Sequence, residues 1–345
     1  MIYFHNDYNA MCCDAVLQKL NAIADTRYGG YGMDDCCQSA AAMIRRLCGA
    51  EDAQVHFLVG GTQTNLTVIA AALRPHQAVI GAESAHIHVH ETGAIEATGH
   101  KVIALPSPDG KLTAAQVEET VEAHRSSGDK EHMAQPKMVY ISNSTEVGTI
   151  YTKKELEALA SVCRKFGLYL FVDGARLSYA LTAKGSDVTL EDLARYCDVF
   201  YLGGTKCGAM FGEAVVITNP AIGEDFRYLI KQRGGMLAKG WLLGAQFEAL
   251  LEDGLYFSLA QKANGFADQI RETLQELGYS FLAENTTNQI FPILPDSLLE
   301  ELGKDFTFSE MGRVDETHRA VRFCTSWDSR EEDVAALCRA LAKKS

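Results

Sequence analysis

Two short apolar runs that each lead to a charged residue constrain the fold more than any other feature of the sequence. Residues 168–172 end at Asp173, and residues 199–202 lead through a Gly-Gly-Thr turn to Lys206. Apolar runs this short are typical of buried strands in an open parallel sheet, and ligands bind in the crevice at the carboxyl ends of such strands. We therefore expect Asp173 and Lys206 to face one ligand site.

An acid and a lysine at this edge suit the cofactor pyridoxal 5′-phosphate (PLP). A lysine with the ordinary pKa of about 10.4 is protonated at neutral pH, so a reactive one needs burial or a cationic neighbour. PLP chemistry needs a lysine that forms a Schiff base and a carboxylate that keeps the pyridine nitrogen protonated. Each residue also has a plain structural interpretation, as a helix cap or a solvent-exposed side chain. Together and in this order, Asp173 and Lys206 favour a PLP site.

Short apolar runs alternate with segments of helical spacing through most of the chain. The predicted strands are 55–59, 78–81, 101–105, 137–142, 168–172, 199–202 and 214–218, and the predicted helices are 14–24, 37–48, 63–73, 90–97, 113–124 and 153–166. This alternation predicts a doubly wound α/β domain with a mostly parallel sheet, which we assign to residues 1–240. Beyond it, helical spacing at 241–250, 259–277 and 330–343 and strands near 290–294 and 321–325 predict a smaller α+β domain, residues 241–345.

Length, charge and cysteine content narrow the class of protein. A chain of 345 residues suits two domains, because single cores rarely grow beyond about 250 to 300 residues. A net charge of −13 argues against nonspecific nucleic-acid binding, which needs clustered Lys and Arg. Ten cysteines without a signal-like start indicate reduced thiols in the cytoplasm. Since no apolar stretch approaches the ~18 residues of a membrane helix, we expect a cytoplasmic protein without membrane contact.

Two further segments have the chemistry of a binding site. Gly60, Gly61 and Thr62 lie between a predicted strand and a predicted helix, and the free backbone amides of such a turn suit a phosphate, although a plain turn has the same sequence. His86, His88 and His90 alternate along the chain, which on a strand would place them on one face, where they could bind a metal. No second cluster matches them, so we expect no metal. His86 instead follows strand 78–81 and suits stacking on a planar ring.

Two arginines complete the candidate set. Arg176 lies three residues after Asp173, so that both face one pocket if a helical turn begins there, or else pair with each other. Arg322 lies between apolar residues of a predicted strand. An arginine in such a place usually has a defined anionic partner, because its planar fork suits carboxylates. That partner is either a substrate carboxylate or an internal Asp or Glu.

Taken together and in order, these motifs resemble those of the threonine aldolase and β-eliminating lyase family of PLP enzymes. The resemblance spans nearly the whole chain, and the motifs that carry it are Asn6-Asp7, Tyr31-Gly32-Met33-Asp34, Gly60-Gly61-Thr62-Gln63, His86, Asp173-Gly174-Ala175-Arg176, Gly204-Thr205-Lys206 and Arg322-Phe323. It implies the fold of aspartate aminotransferase, fold type I of the PLP-dependent transferases. It also implies a homodimer or homotetramer with sites at the subunit interface.

The resemblance assigns a role to each matching residue. It implies that Lys206 forms the Schiff base, Asp173 binds the pyridine nitrogen, Arg176 donates to the ring hydroxyl, Gly61 and Thr62 cradle the phosphate, and His86 stacks on the ring. Arg322 with Asn6 would hold the substrate carboxylate, Tyr31 would reach a neighbouring subunit's site, and His132 would lie near the substrate hydroxyl. Either His86 or His132 would be the base.

The implied reaction is the cleavage of the Cα–Cβ bond of a β-hydroxy-L-amino acid, L-threonine or L-allo-threonine, to glycine and an aldehyde. The bond that stands perpendicular to the cofactor ring is the one that breaks. A PLP lyase acting by β-elimination on another amino acid is the alternative within the same fold. A noncatalytic PLP-binding protein is the alternative from another class, and the intact set of Lys206, Asp173 and His86 argues against it.

Overall fold

The structure is a computed structural model, and it describes residues 1–343 of the chain. Its strands are β1 (Ile2–Tyr3), β2 (Gln54–Leu58), β3 (Gln77–Ala82), β4 (Lys101–Leu105), β5 (Gln135–Ser142), β6 (Tyr169–Asp173), β7 (Val199–Gly203), β8 (Glu213–Ile217), β9 (Gln289–Ile290), β10 (Ile293–Pro295), β11 (Phe306–Thr307), β12 (Ser309–Arg313) and β13 (His318–Cys324). Its α-helices are α1 (Asp14–Ala22), α2 (Asp35–Cys48), α3 (Gly61–Ala72), α4 (His86–Val89), α5 (Ala114–Ser126), α6 (Lys153–Phe166), α7 (Leu177–Leu181), α8 (Leu190–Tyr196), α9 (Pro220–Gly223), α10 (Phe226–Gln232), α11 (Trp241–Leu251), α12 (Leu255–Glu276), α13 (Asp296–Leu302) and α14 (Glu331–Ala342).

The large sheet gathers several strand ends at one edge. Within residues 1–343 it has seven strands in the order β2-β8-β7-β6-β5-β3-β4. Strands β4, β3, β5, β6 and β7 are parallel, whereas β8 runs antiparallel to β7 and β2. The carboxyl ends of β5, β6 and β7 therefore meet the amino end of β8. Asp173 ends β6, and Glu213 begins β8 opposite Gly203, so two strands bring carboxylates to the edge at which β7 ends.

Local sequence fixes the ends of the helices beside the sheet. Helices α5, α6 and α8 follow Thr113, Thr152 and Thr189, each of which forms a capping box with the third helical residue. Such boxes satisfy amides that the first helical turn leaves without a partner. At the other end of α6, Gly167 has a φ of 68°, a left-handed conformation that glycine adopts at little cost. The chain therefore leaves α6 at a defined point and enters β6, which carries Asp173.

Two clusters of buried apolar side chains form the interior of the described chain. The larger one surrounds the seven-stranded sheet and extends to Ala263 in α12. The smaller one begins at Phe266 in the same helix and includes Phe4. The sequence predicted a division between residues 240 and 241, but α11 packs against α1 and α2 and so belongs with the large core. The division between the cores thus falls inside α12. Residues 344 and 345, the end of the predicted second domain, lie outside the described residues.

The smaller core is covered by short strands from the end of the chain and by its N-terminal segment. Strand β13 pairs antiparallel with β9, β10 and β12, and β1 pairs in parallel with β11. The backbone carbonyl of Phe4 also accepts a hydrogen bond from the amide of Cys324 (2.8 Å). The N-terminal segment thus joins the C-terminal domain and carries Asn6 and Asp7 to the boundary between the two cores.

One predicted helix, residues 90–97, is wrong. The chain instead forms the short helix α4, which begins at His86, and a single 3₁₀ turn at Glu96–Thr98. Thr92 and Gly93 between them have φ values of 53° and 71°, and residues in the left-handed region cannot continue a right-handed helix. His86, His88 and His90 also do not share one face of a strand.

Metal binding and membrane crossing are two alternatives that the sequence raises. Among residues 1–343, no group of three or more His, Cys, Asp or Glu side chains is arranged to hold a metal ion. No helix in that part of the chain combines the length and the apolar character that a bilayer crossing requires.

Candidate active site

A cavity of about 280 Å³ opens where β5, β6 and β7 end and β8 begins. The predicted site residues that line it are Gly61, Thr62, His86, Asp173, Arg176 and Lys206. Residues that the sequence did not single out also line it, among them the carboxylates Glu146 and Glu213. The topology of the sheet therefore brings together residues from distant parts of the chain, with both cationic and anionic groups around one space.

Asp173 is a buried carboxylate held in its ionised form by hydrogen bonds. Tyr140 donates its hydroxyl proton to Oδ2 of Asp173 (2.5 Å), and Asn65 donates from Nδ2 to the same oxygen (3.0 Å). The backbone amide of Ala175 donates to Oδ1 (3.0 Å). Burial alone raises the pKa of Asp173, but the hydrogen bonds, led by that from Tyr140, outweigh it and hold the pKa below its usual range. A buried negative charge of this kind is the partner that a protonated ring nitrogen needs.

His86 is oriented by a second buried carboxylate. Its Nδ1 lies 2.7 Å from Oε1 of Glu91, whose side chain is completely buried. The same Glu91 oxygen accepts a hydrogen bond from Nδ2 of Asn65 (2.7 Å), the nitrogen that also donates to Asp173. A carboxylate beside Nδ1 favours the tautomer with its proton on that nitrogen. Nε2 of His86 is therefore left as the basic atom, and Asn65 links the histidine to the site of Asp173.

Arg176 pairs with Asp7 rather than with Asp173. Its Nε lies 2.7 Å from Oδ2 of Asp7, and its Nη2 lies 2.9 Å from Oδ1. Asn288 donates a further hydrogen bond to Oδ2 of Asp7 (2.9 Å). Burial raises the pKa of Asp7, but the Arg176 charge and these hydrogen bonds lower it to about 2. The sequence left open a pair between Arg176 and Asp173. Because Arg176 pairs with Asp7 instead, the Asp173 carboxylate is available to the cavity.

The backbone that carries Lys206 is fixed by close packing. A Cβ atom on Gly203 would lie 2.4 Å from the carbonyl oxygen of Ala175, a distance that requires glycine at the end of β7. The hydroxyl of Tyr179 donates to the carbonyl oxygen of Lys206 (2.7 Å). The turn after β7 therefore lies against the turn after β6, and this contact explains why both motifs contain glycine.

The charges around Lys206 oppose each other. Burial is the largest influence and lowers the pKa of Lys206, and the nearby Arg176 guanidinium lowers it further. The carboxylates of Asp7, Asp173 and Glu213 raise it without reversing the net direction. The sequence predicted that burial and a cationic neighbour would make this lysine reactive, and the structure contains both.

The turn between β2 and α3 presents backbone amides at the same cavity. Gly60 precedes the first helical residue, Gly61, and the amides of the first turn of a helix have no partner within the helix. Within residues 1–343, the buried Oγ of Ser144, which also lines the cavity, has no hydrogen-bond partner. Free amides at a helix N-terminus and an unpartnered hydroxyl are the donors that a phosphate binds.

Sequence reasoning missed two glutamates that line this cavity, Glu146 and Glu213. Glu146 accepts hydrogen bonds from Oγ of Ser142 (2.7 Å) and from the backbone amide of His86 (3.0 Å), and burial raises its pKa. Glu213 accepts hydrogen bonds from the backbone amide of Gly204 and from Oγ of Thr205. The one available signal was that Glu213 directly precedes an apolar strand. This signal indicates that Glu213 lies at the cavity only when the strand that follows it, β8, is known to run antiparallel to β7.

Among residues 1–343, Arg322 and Asn6 are not part of the cavity lining; Arg322 lies on β13 of the small domain and Asn6 on the N-terminal segment. Arg322 donates to Oε1 of Gln289 (3.1 Å), to the backbone carbonyl of His5 (3.0 Å) and to Oγ of Ser309 (3.2 Å). All of these acceptors are uncharged, and within residues 1–343 its Nε has no partner. Within the described part of the chain, Arg322 therefore has no internal Asp or Glu as its partner, which was one of the two possibilities that the sequence allowed. Asn6 accepts a hydrogen bond from the amide of Tyr8 (3.0 Å) and adjoins Asp7.

His132 and Tyr31 are not brought to the cavity within this chain. His132 ends a short 3₁₀ turn directly before β5, whereas the cavity lies at the other end of that strand. Within one chain His132 therefore lies away from the cavity, and its predicted place near a substrate hydroxyl stays a prediction. Tyr31 is exposed, has a φ of 64° and lies against Lys231, so its predicted role toward a neighbouring subunit stays a prediction.

Comparisons with known proteins cover nearly the whole chain. A family model described as β-eliminating lyase matches residues 5–296. A relative from Pseudomonas sp. (strain NCIMB 10558), named low specificity L-threonine aldolase, is 31% identical over 341 residues, which cover 96% of this chain and 94% of the relative. The solved structure of Leishmania major threonine aldolase is 46% identical with a TM-score of 0.97, and the match covers 99% of each chain.

A more distant solved structure bears on the fold alone. A single mutant of Thermus thermophilus aspartate aminotransferase has a TM-score of 0.73 at 16% identity, and the match covers 99% of this chain and 91% of that one. At so low an identity the similarity concerns the path of the backbone and no activity. It confirms the predicted α/β fold of the aspartate aminotransferase type.

Proposed function

Because the chain belongs to the β-eliminating lyase family, we propose that it is a PLP-dependent aldolase that cleaves the Cα–Cβ bond of a β-hydroxy-L-amino acid. L-Threonine or L-allo-threonine would give glycine and acetaldehyde. The observation that carries this proposal is the match of 96% of the chain, at 31% identity, to a relative named L-threonine aldolase. The chemistry of the residues around the cavity supports it independently.

The residues around the cavity fit PLP. Asp173 supplies a buried carboxylate for the ring nitrogen, and Lys206 supplies an amine whose pKa is lowered by burial. The first turn of α3, at Gly61 and Thr62, and the unpartnered Oγ of Ser144 supply donors for a phosphate. Lys206 would hold the aldehyde carbon of PLP, His86 would stack on the ring, and Arg176, oriented by Asp7, would donate to the ring hydroxyl.

Asp173 would determine how strongly the bound cofactor draws electrons. PLP withdraws electrons from the Cα of an amino acid bound to it, which weakens the bonds to that carbon. Asp173 would hold a proton on the ring nitrogen, because Tyr140 and Asn65 stabilise its ionised carboxylate with hydrogen bonds. That proton keeps the ring electron-poor.

Arg322 and His86 would decide which bond breaks. Arg322 would bind the substrate carboxylate through its guanidinium, whose described partners are uncharged. Holding the carboxylate in one place fixes which of the bonds to Cα stands perpendicular to the cofactor ring, and so selects the Cα–Cβ bond for cleavage. Nε2 of His86 would accept the proton of the β-hydroxyl, because the bond between Nδ1 and Glu91 leaves Nε2 as the basic atom.

We also propose that the protein acts in the cytoplasm as a homodimer or homotetramer, without a nucleic-acid or membrane partner. The cysteines of the chain are free thiols, which supports a reducing compartment. Tyr31, Met33 and Tyr228 are large, exposed apolar side chains on neighbouring segments. Such a patch supports contact with a second copy. Mass measurement in solution tests this part of the proposal, and a monomer would contradict it.

Product analysis tests the reaction. Purified protein reconstituted with PLP and incubated with L-threonine or L-allo-threonine is expected to release glycine and acetaldehyde in equal amounts. K206A protein, treated in the same way, is the control. Ammonia and a 2-oxo acid in place of glycine would indicate β-elimination, and glycine no higher than in the control would contradict the aldolase assignment.

A further inference from the structure

Glu213 is a buried carboxylate that the proposed reaction does not use. It begins β8 opposite Gly203, and only 3% of its surface is exposed. Its side chain lines the same cavity as Lys206. A buried carboxylate is costly unless hydrogen bonds or a nearby cation stabilise it, so its position requires an explanation.

Both oxygens of Glu213 bind the segment that immediately precedes Lys206. Oε2 accepts a hydrogen bond from the backbone amide of Gly204 (3.1 Å), and Oε1 accepts one from Oγ of Thr205 (2.9 Å). Oγ of Thr205 itself accepts a hydrogen bond from the amide of Gly212 (3.0 Å), which directs the hydroxyl proton toward Glu213. Donors at both oxygens favour the ionised carboxylate, whereas burial is the largest influence and favours the neutral acid, so Glu213 carries most of its charge only above about pH 8.

In the part of the chain that the structure describes, the charge of Glu213 is not neutralised by an ion pair. Within residues 1–343, no lysine or arginine forms a salt bridge with it. Lys206 is the cation that acts on it through space, whereas burial and Asp173 disfavour its charge, and together they raise the pKa of Glu213 to about 8. Two groups whose pKa values move toward each other in this way titrate as a pair.

The other charges around Lys206 already have partners or assigned roles. Arg176 and Asp7 neutralise each other in a bidentate ion pair, and Asp173 faces the place assigned to the ring nitrogen. Tyr201 and Cys207 are buried nearby, and burial holds both of them in their neutral forms by raising the pKa. All three carboxylates favour the charge of Lys206, and among residues 1–343 Glu213 is the one that has neither an ion-pair partner nor a place assigned at the ring nitrogen.

On the basis of the proposed function, we propose that Glu213 is a positioning residue that sets the charge of Lys206. Its carboxylate stabilises a proton on the lysine nitrogen, in a pocket where burial and Arg176 oppose one, and its hydrogen bonds to Gly204 and Thr205 hold the lysine segment in place. A purely structural role would involve the hydrogen bonds and not the charge.

The test is a pH titration of the visible absorption of the holoenzyme, with Glu213→Gln and the matched variant Glu146→Gln. Both variants neutralise a carboxylate of the same cavity, but Glu146 is not among the leading charges that act on Lys206. Loss of the Glu213 charge should lower the midpoint of the spectral transition by about one pH unit, the usual effect of an opposite charge at short range. E146Q should stay close to the wild type.

The outcomes separate the inference from the function on which it rests. The inference would be overturned if the E213Q midpoint equals that of the wild type or if E146Q lowers the midpoint as much as E213Q. It would also be overturned if neither the wild type nor E213Q has a spectral transition. If E213Q does not retain the cofactor, E213D takes its place in the test. This variant moves the carboxylate away by one methylene and should lower the midpoint by less than one pH unit. An E213D midpoint equal to or higher than that of the wild type overturns the inference. Failure of the wild-type protein to form any visible band with PLP would instead contradict the proposed function.

Discussion

Arg176 and Asp7 form a bidentate ion pair, with Nε to Oδ2 at 2.7 Å and Nη2 to Oδ1 at 2.9 Å, across 169 positions of sequence. Asp7 belongs to the N-terminal segment that pairs with the small domain, whereas Arg176 follows β6 of the large sheet. The pair therefore fixes one wall of the cavity to the other domain. It also leaves Asp173 free to act on a ligand rather than on Arg176.

Loss of the Asp7 carboxylate should destabilise the protein strongly. The D7N change leaves a buried guanidinium without its counter-charge, and breaking one side of a buried pair typically costs about 3 kcal/mol or more. Urea unfolding at neutral pH measures the effect. D296N, which disrupts a more exposed pair with Arg319, is the control and should have a much smaller effect. Equal losses of unfolding free energy in D7N and D296N would show that burial of the pair between Arg176 and Asp7 is unimportant for stability.

The same carboxylate should contribute a pH dependence to stability. The pKa of Asp7 in the folded protein is about 2, below the ordinary 3.8, so folding favours the ionised form. The ionised Asp7 contributes about 2 kcal/mol to the free energy of unfolding at pH values above the ordinary pKa. This contribution is lost as the pH falls toward the pKa of the folded protein. The stability difference between wild type and D7N should therefore narrow from about pH 5 to about pH 3. A constant difference over that range would contradict the assignment.

His86 and His132 should differ sharply when each is replaced by asparagine. H86N removes the imidazole from the cavity and should lower kcat/KM for L-threonine by about 100-fold or more, the usual contribution of a general base. His132 lies at the other end of β5, so H132N should stay close to the wild type. A large loss in H132N would show that a second subunit brings this histidine to the site.

Glu91 should affect turnover more than substrate binding. In E91Q the charge that fixes the His86 tautomer is lost, so kcat should fall by about tenfold, while KM changes little. E83Q is the control in the same segment, where Glu83 accepts a hydrogen bond from the amide of Ser107. Steady-state kinetics of both variants test the prediction. A rise in KM with unchanged kcat in E91Q would place Glu91 in substrate binding instead.

Arg322 should be needed for substrate carboxylate binding. R322K keeps the charge but loses the planar fork, and kcat/KM should fall by about 10- to 100-fold through a rise in KM. Arg319 on the same strand pairs with Asp296 and Glu310, so R319K is the matched control and should leave KM unchanged. Similar KM values in R322K and the wild type would contradict this role.

The sequence predicted the parts of the site that depend on local pattern. The apolar runs before Asp173 and Lys206 predicted the buried strands β6 and β7, because strand length and apolar character are local properties. The glycine turn before α3 was found for the same reason. The helix predicted at 90–97 failed because Thr92 and Gly93 adopt left-handed backbone conformations, which hydrophobic periodicity does not reveal.

Contacts between distant segments could not be read from the sequence. The partner of Arg176 comes from the N-terminus, and the buried Glu213 enters the site only because β8 runs antiparallel to β7. The position of His132 at the amino end of β5, away from the cavity of its own chain, was equally hidden in the sequence. In each case strand direction and domain packing decide the contact, and neither is a local property.

The most direct test of the account is where PLP binds covalently. Borohydride reduction of the holoenzyme followed by peptide mapping should find the reduced cofactor on Lys206 and on no other lysine, and K206A should form neither this adduct nor the visible band. An adduct on a different lysine, or a visible band that persists unchanged in K206A, would contradict the assignment of the cavity between β6, β7 and β8 as the PLP site.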